Sequence, residues 1–261
     1  MNDFWQKQDP EKPLFENILW NKPERKTGKI VIIGGNKNGF AAVAKAYEVS
    51  RKMPVEEVKI VLPDSLKKTL PTNVFDATFA ESNPSGSFAK NALPMLDAAA
   101  SFANATILIG DSGVNAETSE LFANFIRQNP GPITITRDAA DALANSAEDI
   151  LNRENIHLVL SISQLQKFSR NVYYPRAITL SMAAPQLAET LHKFTLTFPV
   201  SLTVWHAGQI FFAKNGDVFS QDFDQPMRVW SGEIAVRETV WTLWNERKDF
   251  AKNVVSSWTE L

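Results

Sequence analysis

Near the end of the chain, Ser231-Gly232-Glu233 joins residue types that chemistry uses: two small residues whose amides could meet an anion, and a carboxylate that could move a proton. At the start of a helix, backbone amides point outward and the helix dipole favours negative charge. Glu233 there could act as a general base if burial raised its pKa towards neutrality. The same three residues also read as a serine cap followed by an acid that complements the dipole. Position alone favours the capping reading.

Two earlier segments raise the same question. Gly34-Gly35-Asn36-Lys37-Asn38-Gly39-Phe40 and Gly110-Asp111-Ser112-Gly113-Val114-Asn115 each follow an apolar run. Their glycines let a backbone approach a ligand closely, or supply the positive φ of a strand-to-helix turn. The G-G-x-x-x-G spacing differs from the dinucleotide-binding G-x-G-x-x-G. Asp111 could hold a metal or a ligand hydroxyl; equally, Asp111 or Ser112 could cap a turn. Arg137-Asp138 and Ser161-Ile162-Ser163-Gln164 also follow apolar runs. His157, His192 and His206 show no metal-ligand spacing, so no protein metal site is expected. No nucleophile elbow, Walker loop or His-Glu-x-x-His is present.

These segments need a scaffold that brings them together. "KIVIIGG" from Lys29, "VKIVLP" (58–63), "ATILIG" (105–110), "ITIT" (133–136) and "IHLVLS" (156–161) read as strands buried on both faces. Helical spacing runs through 40–52, 88–102, 119–129 and 141–153, and starts again at 163. Residues 200–220 carry two or three strand-like runs with turns at Ala207-Gly208 and Asn215-Gly216. A last helix spans 231–248, with Val236, Val240, Leu243 and Trp244 on one stripe. The alternation predicts an α/β fold of three αβα layers, with a mainly parallel sheet and a late antiparallel hairpin region. In such a sheet ligands collect at the carboxyl ends of the strands, where the Gly34, Gly110, Arg137 and Ser161 segments would emerge. Residues 1–27, broken by Pro10, Pro13 and Pro23 and anchored by Leu14, Phe15, Ile18, Leu19 and Trp20, are expected to be an arm packed on one domain, 28–261.

Composition narrows the partners. The 261 residues are 44% hydrophobic and 21% charged, with net charge -2 and pI near 6.0. That gives no basic field for nucleic acid. Cysteine is absent, which excludes disulfides and thiolate metal sites. The N-terminus lacks a secretory pattern, and no apolar run reaches the ~20 residues of a spanning helix. A soluble, cytoplasmic protein without a membrane partner is expected. Five of the seven tryptophans lie beyond residue 200, which suggests tail packing or a subunit interface.

Taken in order, the loops resemble the ribokinase-like superfamily, and within it the ADP- or ATP-dependent NAD(P)H-hydrate dehydratases. "GKIVIIGGNKNGFAAVAKAY" is similar to that branch's opening strand, Gly-Gly turn and Ala-rich helix. "SNPSGSFAKNALPMLDAAASFANATILIGDSGVNAET" is similar to its helix, strand and Gly-Pro-Gly-Leu-Gly loop, here short of a glycine and the proline. "ITITRDAADAL" resembles its strand and Asp-Ala-Asp-Ala-Leu segment. "WSGEIAVRETVW" stands where the superfamily carries Gly-Ser-Gly-Asp before a long helix.

The resemblance implies nucleotide-dependent dehydration of hydrated NAD(P)H, using ATP or ADP with Mg²⁺ and an NAD(P)H-type ligand. A kinase of a small alcohol, or a small-molecule-binding protein that has lost catalysis, are the alternatives. It also implies a pocket lined by Gly34, Gly35, Asn36, Gly39 and Phe40, with Gly110, Asp111, Ser112, Gly113 and Asn115 in the same cleft. Asp138 or Asp141 would match the family's aspartates. Ser231 and Gly232 would form the phosphate's anion hole, and Glu233 would replace the catalytic aspartate. Trp230 stands where the anion loop has its first glycine. The family tends to form homo-oligomers.

Overall fold

The computed structural model describes residues 3–9, 11, 12, 14, 15, 28–70, 77–113, 115–244 and 250–258. Among these residues ten strands form one sheet. They are β1 (Trp5–Gln8), β2 (Lys29–Gly34), β3 (Glu57–Pro63), β4 (Ala77–Ala80), β5 (Ala105–Gly110), β6 (Ile133–Thr136), β7 (Ile156–Ser161), β8 (Ser201–His206), β9 (Gln209–Lys214) and β10 (Asp217–Asp222). Their spatial order is β1-β10-β9-β8-β7-β6-β5-β2-β3-β4. Strands β4, β3, β2, β5, β6, β7 and β8 run parallel, and β8-β9-β10 is an antiparallel meander.

Alternate side chains of each central strand enter opposite layers, so the strands read as continuous apolar runs. On one face Val31, Ile33, Leu108 and Leu160 meet Leu96, Phe122, Leu143 and Leu165. These come from α2 (Leu93–Phe102), α3 (Ala116–Gln128), α4 (Arg137–Leu143) and α6 (Ile162–Asn171), with α5 (Ala147–Leu151) and α7 (Ala184–Thr197) completing the layer. On the other face Ile30, Ile32, Ile107 and Ile109 pack against α1 (Ala41–Arg51) and α9 (Glu233–Trp244). There, α8 (Pro226–Trp230) and α10 (Phe250–Ser257) cover Phe212, Phe219 and Val159. The three αβα layers and the antiparallel hairpin region are as expected from the sequence.

Several boundaries differ. The helix expected over 88–102 begins at Leu93, with Pro94 in its first turn, where a missing N–H costs nothing. The segment 141–153 is two short helices, not one. At 231–248, Gly232 at φ +84 breaks the pattern: α8 ends before it, α9 begins after it, and 245–249 lie outside the described residues. Of the N-terminal arm, β1 adds to the sheet edge in parallel with β10, and Phe15 packs edge-on against Phe219 at 5.7 Å. Pro10, Pro13, Ile18, Leu19, Trp20 and Pro23 lie outside the described residues, as does Val114.

Candidate functional site

The parallel strands end on one rim, and that rim gathers the glycine segments. A register shift after Ile33 sets Gly34 opposite Gly110, and the Gly35 N–H donates to the Gly110 carbonyl at 2.8 Å. The missing side chains are what permit this. A Cβ on Gly34 would overlap the Gly110 carbonyl, and one on Gly110, at φ +94, would overlap Asp138 Oδ1. A Cβ on Gly113 would come within 3.3 Å of Asn36 Nδ2. One on Gly232 would come within 2.8 Å of Ile109 Cδ1 and 3.3 Å of Arg137 Cδ.

Asp111 stands at the centre of this rim. Its Oδ2 accepts from the Ala42 N–H at 2.6 Å, in the first turn of α1, and its Oδ1 meets Arg137 Nη2 at 2.9 Å. Its own N–H donates to Asp138 Oδ1 at 2.7 Å. An internal carboxylate thus sits at the amide end of α1, a position whose amides and dipole favour negative charge. Asp111 and Arg137 both hold left-handed backbone, at φ 54 and 57. Such conformations cost of order 1 kcal/mol in non-glycine residues, and strain of this kind clusters at functional sites.

Arg137 links three elements. Its Nη1 donates to the Trp230 carbonyl, and its own carbonyl accepts from Gln164 Nε2 at 2.7 Å. Gln164 also donates to Asp141 Oδ2 at 2.7 Å, and Lys167 pairs with Asp141. Arg137 Nε is buried and has no partner. A cleft of about 330 Å³ opens among these groups, lined by Asp111, Arg137, Asp138, Ser161, Gln164 and Trp230. Trp230 is 46% exposed and meets Trp205 edge-on at 5.7 Å.

The other expected residues lie beside the cleft in more local roles. Asn36 and Gly39 exchange backbone hydrogen bonds at 2.9 and 3.0 Å, and a Cβ on Gly39 would meet open space. At Gly35 that space is bounded by Leu62, Phe40 and Leu66, so its glycine serves the turn and the packing beneath. Ser112 is buried, with Oγ 3.3 Å from the Gly110 carbonyl. Asn115 caps α3, accepting from the Thr118 N–H at 2.9 Å.

At the third glycine segment the amides are already committed. The Ser231 N–H donates to the Met227 carbonyl at 2.8 Å and the Gly232 N–H to the Val229 carbonyl at 3.0 Å. The Glu233 N–H lies 3.4 Å from Ser231 Oγ. Glu233 is held by Arg228, whose Nε donates to Oε1 at 2.9 Å, with Lys45 3.9 Å from Oε2. It does not line the cleft.

No family model and no curated protein matches the sequence. Solved structures do. A ribokinase-like superfamily protein from Enterococcus faecalis superposes with TM-score 0.71 at 10% identity, covering 98% of this chain and 85% of its own. The ADP/ATP-dependent NAD(P)H-hydrate dehydratase of Bacillus subtilis, crystallised with ATP and Mg²⁺, gives 0.60 at 11%, covering 93% and 83%. A phosphomethylpyrimidine kinase from Clostridium difficile gives 0.54 at 8%, covering 88% and 96%.

The fold is ribokinase-like.

Within this ribokinase-like frame, Arg228 is a residue that no sequence signal singles out, and Gln164, part of a strand-exit segment, takes a role its position did not indicate. Arg228 precedes Glu233 by five positions and reaches it only because Gly232 reverses the chain between α8 and α9. Gln164 forms a capping box with Ser161, a pattern visible as Ser-x-x-Gln, and then bridges Arg137 to Asp141. The polar groups of segment 231–233 are engaged within the protein. Its first two amides serve α8, and its carboxylate serves Arg228.

Proposed function

We propose that this chain binds a nucleotide-class small molecule, a planar ring carrying phosphate, and does not transfer a phosphoryl group. The observation that carries the reading is the state of residues 231–233. The Ser231 and Gly232 amides donate to α8, and Arg228 clamps Glu233 outside the cleft. Phosphoryl transfer works through donors aimed at the charge of the transition state, and these donors are spent elsewhere.

The cleft supplies what a binder needs. Trp230 offers an exposed indole to a planar ring, and Arg137 places a guanidinium on the cleft wall. Because the Bacillus subtilis neighbour is an NAD(P)H-hydrate dehydratase, NADPH is the first ligand to try.

A second reading keeps catalysis: nucleotide-dependent dehydration of hydrated NAD(P)H, with Glu233 as base. Its support is the coverage of 93% of this chain by the dehydratase and the place of Glu233 directly after Gly232 at the start of α9. Thermal shift separates the two. A ligand at a hundredfold above its Kd adds roughly 2.7 kcal/mol of stability. The binding reading expects a shift with NADPH and no ATP- or ADP-driven turnover of hydrated NADH. Turnover that disappears in Glu233→Gln would establish the dehydratase instead.

A further inference from the structure

The cleft at the carboxyl rim carries a charge count that narrows its ligand. Asp111, Arg137 and Asp138 are the charged residues of its lining, so two carboxylates stand against one guanidinium. Asp111 Oδ1 already meets Arg137 Nη2 at 2.9 Å, with these side chains 19% and 27% exposed. Neighbouring ions leave the count unchanged. Lys167 pairs with Asp141, and Arg228 and Lys45 pair with Glu233; none of these five lines the cleft.

Asp138 supplies a spare acceptor. Its Oδ1 takes the Asp111 N–H at 2.7 Å, and no further hydrogen bond to this carboxylate is made among the described residues. A carboxylate has about four acceptor positions, so most of its capacity is open. The residue is partly exposed and lines the cleft. Gly110 fixes it there, because a Cβ at that position would fall 1.9 Å from Oδ1.

We propose, on the binding reading of this cleft, that Asp138 sets its ligand class: a nucleoside monophosphate, whose sugar hydroxyl donates to Asp138 and whose single phosphate meets Arg137. Size agrees, since about 330 Å³ stands at the small end of ligand clefts, which run from ~300 to ~1,000 Å³. Charge limits the phosphates. Like charges a few ångströms apart repel even in water, and more strongly at a protein surface. Each phosphate beyond the first meets a lining whose one cation is already shared with Asp111.

The test titrates AMP, ADP and ATP into the full chain by calorimetry, at low salt and without divalent cations, which would mask phosphate charge. Affinity should fall severalfold with each added phosphate. Higher salt shortens the range of the repulsion and should compress the series. Asp138→Asn keeps the size and should flatten the series, whereas Glu120→Gln, at an exposed acid on α3 outside the lining, should leave it intact. Dideoxy-AMP, which lacks the donating sugar hydroxyls, should bind the wild type more weakly than AMP. If Asp138→Asn does not give a native circular dichroism spectrum, the salt series and the dideoxy comparison decide the matter on the wild-type chain. Affinity that rises with phosphate count, a slope that Asp138→Asn leaves unchanged, or dideoxy-AMP matching AMP would each overturn the assignment while the binding reading stands. NADPH heat without AMP heat would do the same. Silence from AMP and NADPH alike would end both.

Discussion

Arg228 faces Glu233 across the Gly232 turn, its Nε donating to Oε1 at 2.9 Å, with the two side chains only 18% and 15% exposed. A carboxylate in this position is a structural member of the α8–α9 corner before it is anything else. Arg228→Met keeps the stem and removes the charge, leaving Glu233 half-shielded with Lys45 as its nearest cation. Hydrogen bonds to charged groups contribute about 1.5–3 kcal/mol. The expected loss is in that range, read as a lower denaturant midpoint at unchanged slope.

The rim glycines should differ sharply in tolerance. A Cβ on Gly110 would run into Asp138 Oδ1 at a φ of +94, whereas one on Gly39 meets nothing within 4 Å. Gly110→Ala should therefore cost more than about 2 kcal/mol through overlap and strain. Gly39→Ala should stay within about 0.5 kcal/mol of wild type. Parallel chemical denaturation of the two variants checks the contrast.

The β8–β9 turn holds Ala207 at φ 49 and Gly208 at φ 79, a pairing that hairpin turns of this hand demand. Ala207 is exposed and carries the strain alone. Ala207→Gly should stabilise the chain by about 1 kcal/mol, visible as a raised Tm.

Asp97 on α2 provides a pH prediction. Burial pushes its carboxyl above the ordinary carboxylate range. The folded chain then binds this proton more tightly than the unfolded chain does. Its contribution is present below the ordinary carboxylate range and is lost as pH rises through the elevated folded value. Asp97→Asn has no proton to lose, so the variant should gain on wild type as pH climbs from acid to neutral. A difference that shrinks over that interval would contradict the assignment.

Much of this architecture is legible in the chain because strands buried on both faces must be apolar throughout; "KIVIIG" and "ATILIG" announce themselves. Their glycine exits predict a shared rim because parallel strands end together, and the Gly35–Gly110 hydrogen bond bears that out. Contacts set by chain reversal are hidden. Nothing local says that Arg228 will turn back on Glu233, or that Asp111 will reach the first turn of α1. The break at Gly232 was masked by apolar spacing that continues across it, and β1 was obscured by a short polar strand whose partner lies more than 200 residues away. Nothing in the sequence around His157 points to its partners, and only the fold reveals Glu238 and Ser201 on either side of it.

The central claim is that the cleft binds a nucleotide-class ligand through Arg137 while the 231–233 segment stays out of phosphoryl transfer. Calorimetric titration of NADPH into the wild-type chain and into Arg137→Ala tests it most directly. Saturable heat in the wild type, lost in a variant that retains native circular dichroism, is the expected result. An absence of NADPH heat, alongside ATP-dependent consumption of hydrated NADH that Glu233→Gln abolishes, would contradict it.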